Sequence, residues 1–257
     1  MKKNTITFAN GNRAVVITAP RDASAQAILD ALGIVSPPAV ILLFGGAAGL
    51  DGSRKARLAQ LFIDAIAPAA IDLGALIMDG GTQSGIMAMM GEAVVRDGWR
   101  SPLLGVAPAG KVSYSGSPSD SGIVDGAPLE PNHSHFVLVE SAEWGAETEK
   151  TLELARAFNA PVVAILVNGG AIAADQAVHS VRNGWQLLVV VGTGRFAAEL
   201  GVALREGQSA KSTDVSEIVR SGRVTLFHID APAEKFKAEL CQMLCCCDRE
   251  LRGEKGP

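Results

Sequence analysis

Several things are scarce in this chain of 257 residues, and each scarcity removes a class of explanation. Cysteine is confined to four positions, Cys241, Cys245, Cys246 and Cys247. They stand too close together to be the disulfide framework of a small secreted protein. Aromatic residues make up only 5%, with a single tyrosine. There is no excess of positive charge: the formal net charge is −4, which gives no general electrostatic case for nucleic acid or an acidic membrane surface. No apolar run approaches the roughly 20 residues that span a bilayer. The start, Met1-Lys2-Lys3-Asn4, carries two lysines, but Thr5–Asn10 is too short and polar for a signal-peptide core. The expectation is a cytoplasmic protein. Neither GxGxxG nor GxxxxGK[ST] occurs at a strand end, which sets aside ordinary NAD dehydrogenases and P-loop NTPases.

What the chain does have is aliphatic residues, alanine and 28 glycines, with 48% hydrophobic residues overall. That balance suits parallel strands buried on both faces beneath Ala-rich helices. The length suffices for one α/β domain over residues 1–257. Within it, residues 1–35 read as an N-terminal β-hairpin and helix, 39–229 as the core, and 233–251 as a charged, amphipathic closing helix. The hairpin is Thr5–Phe8 and Ala14–Thr18 around Asn10-Gly11-Asn12. Further strands are expected at Ala39–Phe44, Leu76–Met78, Pro102–Ala107, Phe136–Glu140, Pro161–Val167, Leu187–Val191 and Val224–Ile229. Helices are expected at Ser24–Leu32, Arg54–Ala67, after Gly85, at Glu147–Phe158, at Ala171–Arg182 and after Arg195. Alternating strands and helices imply a doubly wound, mostly parallel sheet in a three-layer αβα arrangement. Lys111–Pro131, rich in Gly, Ser, Pro and Asp, breaks the alternation as a long functional or disordered loop.

In such sheets ligands sit outside the carboxyl ends of the strands. Five turns there carry unusual residues: Gly45-Gly46-Ala47-Ala48-Gly49, Asp79-Gly80-Gly81-Thr82-Gln83-Ser84, Ser141–Thr148, Asn168-Gly169-Gly170 and Gly192-Thr193-Gly194-Arg195. A strand running into a Gly-rich turn and a helix start aims free N–H groups and a partly positive helix end at one point, which suits a phosphate. Gly45–Gly49, Gly80–Gly85 and Gly192–Arg195 are therefore expected to cradle phosphates. Thr82 and Ser84 offer hydroxyls or a helix cap. Gly85 costs helix stability unless something packs against it. Arg195 can fork onto a phosphate or make a surface ion pair. Glu147 can accept from ribose hydroxyls or simply favour its helix start. Asp79 can bond sugar hydroxyls or brace its own turn. Trp144 can stack on a base or cap the rim.

His133 and His135 would point to opposite sides of an extended segment, and no further ligands complete a metal set, so no metal is expected. Hydrogen bonding that fixes the long loop is their expected role, with His133 kept as a possible ligand contact or general base. Met87, Met89 and Met90 read as core filling. The cysteines of the closing helix suit packing against the sheet or a second copy, with zinc, oxidation or lipidation as alternatives.

The motifs Asp79–Gly85, Leu129-Glu130-Pro131-Asn132-His133-Ser134-His135-Phe136, Trp144-Gly145-Ala146-Glu147-Thr148, Asn168-Gly169-Gly170 and Gly192–Arg195 resemble the SLOG superfamily. Within it they resemble the branch shared by prokaryotic stand-alone proteins and the cytosolic N-terminal region of TRPM channels. The resemblance covers about Ala39 to Leu204. It implies a Rossmann-like fold binding nucleotides or nucleotide-derived ligands such as ADP-ribose and relatives of NAD, with no cofactor required. The wider superfamily includes the Lonely Guy phosphoribohydrolases and the DNA-binding DprA proteins. The Lonely Guy turn Pro-Gly-Gly-x-Gly-Thr-x-x-Glu is replaced here by Glu143-Trp144-Gly145-Ala146-Glu147-Thr148, and no arginine lies between Arg100 and Arg156. The ligand-binding set expected on these grounds is Gly45, Gly46, Ala47, Asp79, Gly80, Gly81, Thr82, Ser84, Gly85, His133, Trp144, Gly145, Glu147, Thr148, Asn168, Gly169, Gly192, Thr193, Gly194 and Arg195. Three readings follow: a nucleotide-derivative binding or sensing protein, a homo-oligomer in solution; a nucleotide N-glycosidase with Glu147 as its acid–base group; or an oligomeric structural module with a vestigial pocket.

Overall fold

The chain is described from a computed structural model, which covers residues 1–96, 101–114, 123, 125–206 and 212–251. A hairpin opens it: β1 (Lys2–Thr7) and β2 (Arg13–Ala19) pair antiparallel, Lys2 opposite Thr18 through Thr7 opposite Arg13. The helix α1 (Ala25–Leu32) starts at Ser24, whose side chain accepts from the Ala27 N–H, and stops at Gly33 in the left-handed conformation. The next strand is β3 (Val40–Gly45).

The helix that follows departs from expectation. Instead of ending at Ala67 it runs as α2 (Gly52–Leu61), a π-helical turn (Phe62–Ile66) and α3 (Ala67–Leu73). Pro68 is the physical reason for placing an irregularity there. In a regular α-helix its ring would strike the carbonyl four residues back and leave it unbonded. The wider turn, with the Ala67 N–H reaching the Phe62 carbonyl, lets the helix continue past the proline.

Next come β4 (Leu76–Asp79), α4 (Gly85–Val95) and β5 (Leu103–Pro108). The long loop contains structure of its own: a short parallel pair, β6 (Val112–Ser113) with β7 (Ala127–Pro128), and a bridge between Leu129 and Thr82. Residues 115–122 and 124 of this loop lie outside the described residues. The remaining elements are β8 (His135–Val139), α5 (Thr148–Ala157), β9 (Val162–Val167), α6 (Ala171–Arg182), β10 (Gln186–Val191), α7 (Arg195–Glu206), α8 (Thr213–Arg220), β11 (Val224–His228) and α9 (Ala233–Leu251). The helix α8, capped by Ser212, was not anticipated.

Among the described residues the main sheet has nine strands in the order β1-β2-β8-β5-β4-β3-β9-β10-β11, all parallel except the β1–β2 pair. The stretch β5-β4-β3-β9-β10-β11 follows the 3-2-1-4-5-6 order of doubly wound sheets, with the reversal between β3 and β9. One face packs Leu42, Met78 and Leu166 against Ile28, Leu154, Ala177 and Leu200 of α1, α5, α6 and α7. The other packs Ile41, Ile77 and Ile165 against Leu58, Phe62, Met90 and Phe236 of α2, the π-turn, α4 and α9. Phe62, Phe236 and Ile28 are fully buried, each contributing about 1.5–3 kcal/mol relative to an exposed side chain. In α9, Cys241 is half-buried against this second face and burial pushes its thiol pKa up, while Cys245 is exposed. The side chains of Cys246 and Cys247 lie outside the described residues.

Candidate functional site

The reversal of strand order opens a cleft of about 400 Å³ at the carboxyl ends of β3, β4 and β5 and the starts of α5 and α6. Of the expected site residues, Gly45, Asp79, Gly80, Thr82, Trp144 and Glu147 line it. They come from three separate loops, which the fold brings together. Phe44, Met87, Val106, Thr151 and the first turn of α6 complete the wall. Met87 thus serves the cleft as well as the core.

The start of α6 is the part of the wall that side chains did not announce. Gly170 is the N-cap and has no side chain to offer, and the first helical bond is donated by Ala174 to the Gly170 carbonyl at 3.0 Å. The N–H groups of residues 171–173 therefore have no intrahelical acceptor, as at any helix start. The Asn168-Gly169-Gly170 turn was a visible signal, but the groups facing the cleft belong to Gly170-Ala171-Ile172-Ala173 rather than to Asn168 and Gly169.

Arg195 belongs to the same corner. A methyl group built on Gly170 would come within 3.1 Å of its guanidinium. Its own φ is 48°, an unusual conformation for a residue with a side chain. It is exposed, and among the described residues it has no ion-pair partner.

Glu147 precedes α5. It is 6% exposed and accepts from the Gly145 N–H at 2.8 Å. Burial raises its pKa, opposed by hydrogen bonds from its own backbone and that of Gly145. The Trp144 indole is 37% exposed and donates to the Asp125 carbonyl at 3.0 Å, so the returning long loop holds the ring at the cleft mouth.

Asp79 ends β4 with its carboxylate buried. Oδ1 accepts from the Gly81 N–H at 2.7 Å and faces His133 Nε2 at 2.8 Å. His133 Nδ1 lies 2.8 Å from Glu130 Oε2, and the imidazole stacks on Phe136 with centroids 5.5 Å apart. Burial alone would lower the His133 pKa, but Asp79, reinforced by Glu130, overcomes it and lifts the pKa to about 9. His133 is thus a buried cation between two carboxylates, fixing the long loop to the end of β4. It does not line the cleft. His135, hydrogen-bonded to Ser134 Oγ at 2.9 Å, is also apart from it.

Gly91 in α4 makes room for this arrangement. A Cβ there would sit 2.3 Å from the Glu130 carboxyl group, itself held by Asn132 and His133. Alanine in a helix ordinarily gains up to about 1 kcal/mol over glycine. Here Gly91→Ala is expected to cost about 1–3 kcal/mol instead, because the locked carboxylate must move. Thermal denaturation checks the sign, and a stabilised variant would show that Glu130 is free to shift.

The other expected residues lie outside the cavity wall. Gly46 donates to the Val167 carbonyl at 3.2 Å, and the buried Ala47 accepts from Leu50. Gly81, φ 63°, lies back to back with Gly105, where a Cβ would fall 2.6 Å from the Gly105 Cα. Ser84 holds the N-cap position of α4 but makes no side-chain cap bond; its hydroxyl lies 3.0 Å from that of Thr82 instead, and Gly85 packs on Ala47. Gly145 supports Glu147, and Thr148 is buried. Asn168 donates to the Ala48 carbonyl at 3.0 Å, while its N–H bonds the fully buried Thr193 hydroxyl at 2.8 Å. Gly169 packs on Leu166 and Ala173, and Gly192 on Ile229; Gly194 faces open space. Several of these residues join one loop to another, as Gly46 with Val167, Gly85 with Ala47 and Asn168 with Ala48 and Thr193 do.

Among the described residues no group of three His, Cys, Asp or Glu side chains is placed to hold a metal ion, and no helix is long and apolar enough to cross a membrane.

A doubly wound sheet with a cleft at its switch point defines a Rossmann-like α/β protein. Residues 38–237 match the family described as SLOG in TRPM, prokaryote, and the chain belongs to that family. It is 28% identical over 201 residues to transient receptor potential cation channel subfamily M member 2 of Mus musculus, covering 64% of this chain and 13% of the channel. It is 28% identical over 207 residues to the subfamily M member-like 2 channel of Nematostella vectensis, covering 65% of this chain and 13% of that channel. Subfamily M member 7 of Homo sapiens is 28% identical over 194 residues, 63% of this chain and 10% of the channel. The matched stretch is thus a small part of each of these relatives.

Proposed function

We propose that this protein binds a nucleotide derivative, an ADP-ribose-like or NAD-related molecule or a nucleoside monophosphate, in the cleft at the β3–β9 switch point. The observation that carries the reading is the uncapped start of α6 in one cavity with the buried Glu147 carboxyl. Free backbone N–H groups and the helix dipole suit a phosphate. Arg195 beside Gly170 can add a forked contact. Glu147 suits sugar hydroxyls, and Trp144 offers a flat face to a base. Membership of the SLOG family supports the same class of ligand. Calorimetric titration with ADP-ribose, AMP and cyclic ADP-ribose is the test: saturable binding of at least one is expected, and well-folded protein that binds none at millimolar concentration contradicts the reading.

A second reading is favoured by one observation, the buried Glu147 carboxyl with its raised pKa. A carboxyl poised nearer neutrality can pass a proton to a departing base while water attacks the anomeric carbon. This predicts release of free base from nucleoside monophosphates and a loss of at least about 100-fold in Glu147→Ala. Chromatography of the products over a nucleotide panel checks it; no free base in any reaction removes it.

A further inference from the structure

Among the described residues, the cleft wall carries one polar side chain that no neighbour holds. Thr82 Oγ1 lies 3.0 Å from Ser84 Oγ, and the Trp144 indole donates to the Asp125 carbonyl. Glu147 accepts from the Gly145 N–H, and the Thr151 hydroxyl donates to the Glu147 carbonyl at 3.0 Å. The Asp79 side chain is fully buried and held by Gly81 and His133. Gln176 differs from all of these. It lines the same cavity, is half-buried, and its carboxamide makes no hydrogen bond. Its amide atoms keep open surface, because the buried unpartnered side-chain atoms among the described residues are Asp79 Oδ2, Thr148 Oγ1 and Asn168 Oδ1.

Helix geometry accounts for its place. Gln176 lies inside α6, on the face it shares with Ala173 and Ile172, three and four residues earlier. The backbone there is paired within the helix, and the Gln176 carbonyl also accepts from Ser180 Oγ at 2.8 Å, so it is the side chain that meets the cavity. At 1.5 Å per residue it stands about 6 Å along the axis from Ile172, on the flank of the cleft rather than at the open N–H groups. Around it on the wall are the apolar side chains of Phe44, Met87, Val106 and Ile172. Walls of this kind take a flat ring, and a few polar groups fix its orientation.

A carboxamide carries donors and an acceptor on one planar, uncharged group. A phosphate would use the donors and leave the carbonyl unpaired. An edge with a donor and an acceptor side by side, as on adenine or on a second carboxamide, uses both. We propose that Gln176 reads the ring end of the ligand through such an edge, that of an amino-substituted purine or of a nicotinamide carboxamide. The inference rests on the nucleotide-binding reading and deepens it, giving the uncharged end of the ligand its own recognition residue.

The test is calorimetry with two ligand pairs on the unaltered protein and on Gln176→Met, which keeps the length of the side chain and removes its amide. AMP is set against purine riboside 5′-monophosphate, which lacks the amino group. Nicotinamide mononucleotide is set against 3-acetylpyridine mononucleotide, in which a methyl group replaces the amide nitrogen. The unaltered protein is expected to prefer the complete edge by at least about tenfold in one pair or both, and the pair that shows it identifies the ring. In Gln176→Met that preference should fall to about threefold or less. A ratio below tenfold in both pairs overturns the inference and leaves nucleotide binding standing. Binding of none of the four overturns both. A preference that stays above threefold in Gln176→Met places the contact elsewhere and overturns the inference. Gln176→Ala repeats the comparison where the methionine variant does not fold.

Discussion

Replacing His133 with phenylalanine is expected to cost about 3–5 kcal/mol of folding stability, because it strands two buried carboxylates without their shared cation. Phenylalanine roughly conserves the ring volume beside Phe136, so the loss reports charge and hydrogen bonding more than packing. The same cation makes stability depend on pH in a definite direction. The His133 pKa rises from its ordinary 6.5 to about 9 on folding. Its contribution is fully present below 6.5, where both folded and unfolded chains are protonated. Between 6.5 and 9 only the folded chain keeps the proton, so stability falls with rising pH. At about 1.4 kcal/mol per unit, the loss across that window is about 3 kcal/mol. Urea denaturation at pH 6 and pH 9 measures it. His133→Phe should flatten this part of the profile, and an identical profile in both proteins would show that the buried histidine is neutral throughout.

The second large effect is expected at Gly45, the last residue of β3. It has φ 124°, and a Cβ there would lie 1.8 Å from the Val167 carbonyl oxygen on the neighbouring β9. That oxygen also accepts the Gly46 N–H at 3.2 Å. A methyl group cannot be placed without separating β3 from β9 at the switch point. Gly45→Ala is therefore expected to destabilise by about 4 kcal/mol or more, enough to lower soluble yield sharply. Gly46→Ala is the control. Nothing lies within 4 Å of its Cβ position, and a change within about 0.5 kcal/mol is expected. Thermal melts of the two variants decide between a steric origin and a general intolerance of side chains in this loop. Equal losses at both positions would refute the steric account.

These two positions show what the sequence makes legible and what it hides. Continuous apolar runs such as Ala39–Phe44 and Pro161–Val167 mark buried parallel strands directly, because strands covered on both faces need no polar alternation. α6 starts and stops, and α9 starts, where the sequence pattern places them. The family resemblance and the Rossmann-like sheet also stand. The glycines were harder to read. A glycine that admits a ligand and one that admits a neighbouring backbone leave the same letter in the sequence. Gly81 opposite Gly105, Gly85 against Ala47 and Gly91 beneath Glu130 are of the second kind. The Pro68 irregularity was hidden because a π-turn has no composition of its own. The cleft-facing groups of α6 were hidden because they are backbone N–H groups, which any residue but proline supplies. His133 carried its expected role, hydrogen bonding that fixes the loop, but the two carboxylates that make it a cation are 3 and 54 residues away.

One measurement bears most directly on the central claim: a crystal structure of the protein grown with saturating ADP-ribose. The account predicts ligand density between Gly45, Trp144 and Gly170, with a phosphate against the N–H groups of residues 171–173. An ordered cleft that stays empty, or a ligand bound elsewhere on the surface, would contradict it.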